Sequence, residues 1–141
     1  MVTKEAFFDK GGVVRRVDNS TRKVLSKFGA FVWKRAKTSI RPGKKASAPG
    51  TPPTSRTGLL RKHIYFAYDH SQRSVVIGPA PLMGVEYRGQ IPAILEFGGR
   101  ALRGRGKTLR MATYPPRPFM SPAFDSELNN MPALWANSIK S

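Results

Sequence analysis

The stretch Ala101-Leu102-Arg103-Gly104-Arg105-Gly106-Lys107-Thr108 satisfies a relaxed phosphate-loop pattern, with Ala where the first Gly would stand. Such a loop works by pointing backbone amides and a helix N-terminus at an anion, so it needs a buried strand before it and a helix after it. Gly98-Gly99 on one side and the strand-like, Pro-terminated residues 109–115 on the other supply neither. The expectation is a basic loop that meets nucleic acid or another subunit, not a nucleotide hydrolase. Asp69, His70 and Ser71 are the residue types of a hydrolase triad, but side chains adjacent in sequence cannot hold the geometry of a proton relay. They read as turn residues. Glu86 and Glu96 are conceivable as paired carboxylates, yet the 8 acidic residues are scattered singly among cations, and nothing supplies the second member of an acid/base pair. His63 and His70 are the only imidazoles and there is no cysteine, so neither a metal site nor a disulfide is expected. No catalytic residue, cofactor or metal is expected.

Charge is the dominant property: 25 Lys and Arg against 8 Asp and Glu, a net +17. An excess of this size attracts polyanions and makes binding salt-dependent, so nucleic acid or an acidic protein surface is the expected neighbour. At 141 residues the chain is most simply one domain, 1–141, and no repeat is visible. Residues 1–10 lack the apolar core of a signal peptide, and no apolar run approaches the ~18 residues of a membrane span.

Residues 12–40 read as an amphipathic helix. Val13, Val14, Val17, Thr21, Val24, Leu25, Phe28, Phe31, Val32 and Ala36 recur at three- and four-residue steps and share one face, while Lys23, Lys27, Lys34 and Lys37 take the other. Asp9 stands where an N-cap acceptor is useful, and Pro42-Gly43 ends the helix. A helix of about 28 residues is about 42 Å long, more than a small sheet needs for cover, which suggests a contact outside its own subunit. A basic amphipathic helix can lie on an anionic membrane, but the sheet claims this aromatic-rich stripe, so no membrane association is expected. Residues 3–8, with Phe7 and Phe8, suit one turn, with Gly11-Gly12 as a joint.

Residues 42–57 are rich in Pro, Gly, Ser and Lys and read as a basic loop carrying Lys44, Lys45 and Arg56. Residues 59–68 and 73–78 read as an antiparallel hairpin, with Ile64, Phe66 and Tyr68 on its core face. A short helix at 91–97 precedes a second basic loop at 99–108 with Arg103, Arg105 and Lys107, then strands at 109–114 and 117–120. Ser121 and Pro122 suit the start of a last helix that turns Phe124, Leu128, Met131, Leu134 and Trp135 inward, with Pro132 kinking or restarting it. Phe119, between Pro118 and Met120, is expected to be buried where strand, helix and Phe97 meet. Gly58, Gly98 and Pro118 are expected anchors of the chain path. The fold class is α+β: a long N-terminal amphipathic helix packed on a small antiparallel sheet, with a C-terminal helix. Helices cover only one sheet face, leaving the other face or the strand edges for a partner.

Five segments in order, RKVLSKFGAFVWKRAKTSI (22–40), SRTGLLRKHI (55–64), VVIGP (75–79), ILEFGG (94–99) and RPFMSPAFDSEL (117–128), resemble the neck and tail-completion, or head-tail joining, proteins of long-tailed bacteriophages and prophages. The resemblance covers nearly the whole chain. It implies a small α+β subunit without catalysis or cofactor, assembling as a six-fold or twelve-fold homo-oligomeric ring at the head-tail junction. Neighbouring neck, connector and tail proteins and sequence-independent contact with the phage DNA that passes through are implied with it. So is a place in the virion after assembly in the host cytoplasm. On that reading Lys23, Lys27, Lys34, Lys44, Lys45, Arg56, Arg103, Arg105 and Lys107 face the DNA channel or another subunit. The chain departs from the pattern at Gly11-Gly12 and in the length of the segment 100–110. The rival reading is a sequence-independent nucleic-acid-binding protein of the host, of ribosomal or nucleoid type.

Overall fold

A computed structural model describes residues 9–80 and 91–138; the expected turn at 3–8 with Phe7 and Phe8, and Glu86, lie outside the described residues. Helix α1, Lys10–Ser39, is 30 residues long, about 45 Å. It begins two residues before its expected start because Asp9 closes the first turn: its Oδ1 accepts the Gly12 N–H at 2.9 Å and its carbonyl accepts the Val13 N–H. Gly11 and Gly12 are therefore helical and not a joint. Its buried row is Val24, Phe28, Val32 and Ala36, continued by Ile40 just beyond the last turn. These residues stand four apart, the ridge by which a helix interlocks with its neighbours. Phe31, expected in the core, falls beside that ridge and is exposed, with the Lys27 ammonium 6.0 Å from its ring.

After Ile40 the chain leaves the helix in extended conformation. Strands β1 (Arg41–Pro42) and β2 (Thr54–Ser55) form a two-residue parallel bridge, Arg41 opposite Thr54 and Pro42 opposite Ser55. The Pro-rich segment between them has little regular structure, yet it is tied at several points. Thr54 donates its hydroxyl to the Lys45 carbonyl at 2.6 Å, Gly50 donates its N–H to Pro116, and Arg117 Nε donates to the Ser47 carbonyl at 2.8 Å. Pro53 is fully buried. The segment is thus held against the 115–118 connector by hydrogen bonds from Gly50 and Arg117.

The strand expected from Leu59 starts five residues later. Gly58, at φ 74°, turns the chain instead into a single helical turn, α2 (Leu59–Lys62), which buries Leu60. Then β3 (Ile64–Asp69) and β4 (Ser74–Pro79) form the expected antiparallel hairpin, with Ile64 opposite Pro79 and Asp69 opposite Ser74. Asp69 Oδ1 makes the turn by accepting from the Ser71 N–H, the Ser71 hydroxyl and the Gln72 N–H, which pulls its pKa below the usual range. The triad-like trio is thus a turn. Phe66 and Val75 face α1 at Gly29, where an added Cβ would stand 2.7 Å from Val75 Cγ2 and 3.0 Å from Phe66. A side chain at position 29 would push helix and hairpin apart.

Helix α3 (Ile91–Phe97) is followed not by a loop but by a second antiparallel hairpin, β5 (Gly99–Arg103) and β6 (Arg110–Tyr114), with a 3₁₀ turn at Gly106–Thr108. The expected strand at 117–120 does not form. The last helix is two: α4 (Met120–Leu128) and α5 (Met131–Ala136), with Pro132 in the first turn of the second, a restart. The antiparallel strands make separate two-stranded ladders, not one sheet. The core joins Phe28, Val32, Ala36, Ile40, Leu60, Ile64, Phe119 and Ala123, with Met131 and Leu134 packed against it. Phe124, Leu128 and Trp135, expected inward, are largely exposed, although Phe124 sets its ring edge-on to Phe28 at 5.5 Å.

Candidate interaction surfaces

The expected anchor Phe119 is buried, 1% exposed, but what holds it was not expected. Glu96, buried near the end of α3, accepts the N–H groups of Phe119 and Met120 on Oε2 (2.9 and 3.0 Å) and the N–H and hydroxyl of Ser121 on Oε1 (2.8 and 2.6 Å). The start of α4 leaves amides without intrahelical partners and carries no acidic residue of its own in the first turn. Glu96 supplies the missing acceptors from another element. Burial pushes its pKa up, but hydrogen bonds from Phe119, Ser121 and Met120 outweigh this and hold it below the usual carboxylate range. Ser121, expected as the cap, is instead a donor to it. Glu96, not its neighbour Phe97, meets Phe119: Phe97, expected beside it, is 76% exposed. Gly98 does close the turn as expected, at φ 72° with Pro116 and the Tyr114 carbonyl 3.0 Å from where a Cβ would be.

A second buried carboxylate, Glu127, pairs with Arg35 Nε at 2.6 Å and accepts from Asn130 at 3.1 Å. Those bonds, Asn130 first, hold it below the usual range and tie α4 to α1. Trp33 Nε1 donates to the Ile64 carbonyl at 2.7 Å, with the Lys37 ammonium 4.3 Å above its ring. Both partnerships are structural.

The nominated cations do not gather in one place. Lys23, Lys27 and Lys34 are exposed along α1, Lys44, Lys45 and Arg56 on the Pro-rich segment, and Arg103, Arg105 and Lys107 at the tip of β5–β6. The tip also includes Arg110, directly opposite Arg103 in the ladder. The phosphate-loop match folds as this hairpin turn. Its Thr108 and Leu109 N–H groups point inward to the Arg105 and Gly106 carbonyls, and no helix follows.

Apolar side chains lie exposed on several elements: Val13, Val14 and Val17 on the first turns of α1, Tyr65 and Val76 on the outer face of β3–β4, Leu109 just before β6 and Met111 on it. An apolar cleft between α3 and the second hairpin is lined by Ile91, Ile94, Leu95, Ala101 and Tyr114. No helix among the described residues is long and apolar enough to cross a membrane. No protein-family model, curated protein or solved structure matches the chain.

Proposed function

We propose that this protein is a structural subunit of the phage neck or tail end, assembling as a ring at the head-tail junction around the DNA channel. The observation that carries this reading is the apolar surface left bare in the single subunit. Val13, Val14 and Val17 at the start of α1 and Tyr65 and Val76 on the back of β3–β4 are two separate patches, and contiguous exposed apolar surface marks association sites. A ring with head-to-tail contacts needs two different surfaces on each subunit; the helix end and the hairpin back are the pair assigned here. The net +17 suits a ring enclosing a polyanion, and the five ordered segments that resemble neck and tail-completion proteins support the same role.

Light scattering and electron microscopy of the purified chain, alone and with neck proteins, test the reading: closed rings are expected at moderate salt. A stable monomer at every concentration and with every partner would contradict it and leave the host nucleic-acid-binding protein as the better account.

A further inference from the structure

The β5–β6 hairpin concentrates positive charge at a cost to its own stability. Arg100, Arg103, Arg105, Lys107 and Arg110 are all exposed on it, and no acidic residue occurs between Glu96 and Asp125. Glu96 is already engaged with the start of α4. Arg103 and Arg110 are register partners on the last rung of the ladder, an arrangement of like charges that destabilises a strand pair. The turn that forces them together is specific. Gly104, at φ 104°, sits where any Cβ would run into the Thr108 carbonyl, and the Thr108 hydroxyl accepts from the Arg105 N–H and donates to the Arg105 carbonyl. Among the described residues no ion pair engages Arg103, Lys107 or Arg110.

We propose that this hairpin is a nucleic-acid clamp whose tip grips the phosphate backbone of a DNA duplex without reading its bases. Closely spaced phosphates relieve the repulsion between Arg103 and Arg110, and neutralising them releases counterions from the DNA. A two-stranded ribbon is narrow enough to enter the major groove. The hairpin has no Asn, Gln, Asp or Glu, so it lacks the amide and carboxylate groups that pair with adenine and cytosine edges; guanine is the one base edge its Arg and Lys could pair with, whereas every sequence offers them phosphates. Across the tip, residues 103–110, Leu109 is the one exposed apolar side chain against four cations, an excess of charge over apolar surface that favours nucleic acid over membrane. The proposal rests on the ring reading for the way several hairpins reach one duplex.

The test compares the full-length protein with two variants that each lose four cations, Arg103→Ala/Arg105→Ala/Lys107→Ala/Arg110→Ala on the hairpin and Arg15→Ala/Arg16→Ala/Lys23→Ala/Lys27→Ala on α1. Binding to a fluorescent duplex is followed by anisotropy across a range of salt, and oligomeric state by light scattering on the same samples. The hairpin variant is expected to lose about 3 to 4 from the slope of log affinity against log salt, near 0.9 per lost phosphate contact, and the α1 variant less than about 1. Equal losses in both variants, an unchanged slope in the hairpin variant, or no duplex binding by the natural protein would each overturn the proposal. So would hairpin-dependent binding to phosphatidylglycerol vesicles with duplex binding unaffected. A hairpin variant that keeps its oligomer and its DNA slope removes the clamp alone. A monomeric natural protein with hairpin-dependent duplex binding removes the ring alone.

Discussion

Helix α1 bears apolar residues at helical spacing along most of its length, and its two halves differ in what covers them. From mid-helix to the C-terminal end Val24, Phe28, Val32 and Ala36 are 4% exposed or less; toward the N-terminal end Val13, Val14 and Val17 are 43–48% exposed. The residue types are alike, so the difference lies in the neighbours. The C-terminal half has β3 and β4, which approach as far as the missing Cβ of Gly29 allows, and α4, locked by Arg35 and Glu127. The early turns are tied more loosely, by a hydrogen bond from the Ser20 hydroxyl to the Ser138 carbonyl at 3.3 Å and by an exposed ion pair of Asp18 with Arg73 at 3.6 Å. Periodicity decides which face of a helix is apolar; the rest of the chain decides how much of it is covered.

The sharpest break of that comparison is Phe119→Ala, which opens a cavity beneath the covered half. A loss of about 3–5 kcal/mol is expected, a large part of the stability of a domain this size, read as a lower melting temperature. Next comes Gly29→Ala, which overpacks the helix–hairpin contact and is expected to cost about 1–3 kcal/mol. Glu96→Gln removes the charge that gathers the first amides of α4. About 1–3 kcal/mol is expected in chemical denaturation near neutral pH.

The same carboxylate sets an acid limb. Its pKa is lower in the folded than in the unfolded chain, so its contribution is full above the ordinary Glu value of about 4.3 and disappears as pH falls through the folded value. Melting temperatures of Glu96→Gln should fall less steeply over that acid range than those of the natural protein. At the small end, Val13→Ser/Val14→Ser/Val17→Ser should leave melting nearly unchanged while weakening association in light scattering. Lys107→Ala should fold normally. If the triple variant melted as poorly as Phe119→Ala, the uncovered half would be part of the core and the comparison would collapse.

These differences follow what the sequence makes legible. Asp9 as cap, Pro42 as stop, the Ile64–Pro79 hairpin, the helix at Ile91–Phe97 and the burial of Phe119 all depend on residues close in sequence, and the structure has each of them. Glu96 escapes such reading because its partners lie 23 to 25 residues away; the only trace is a helix start at Met120 with no acid of its own. The exposure of Phe97 is equally invisible locally, because Glu96 and not Phe97 is the α3 residue that reaches Phe119. The second hairpin hides behind its glycines, which look like a loop until Gly104 and Thr108 are seen to interlock. Gly29 gives no local signal, for a glycine inside a helix shows its purpose only through what approaches it.

The β1–β2 bridge has a consequence for proteolysis. Lys44, Lys45 and Arg56 make the Pro-rich segment look like an ideal target for trypsin, which must draw several residues of backbone into its cleft in extended form. Bonds from Thr54, Gly50 and Arg117 and the buried Pro53 hold the segment's backbone at intervals, so each cut requires several of these ties to open together. Under native conditions the segment should therefore survive digestion for as long as the domain itself stays folded, despite a composition that resembles a linker.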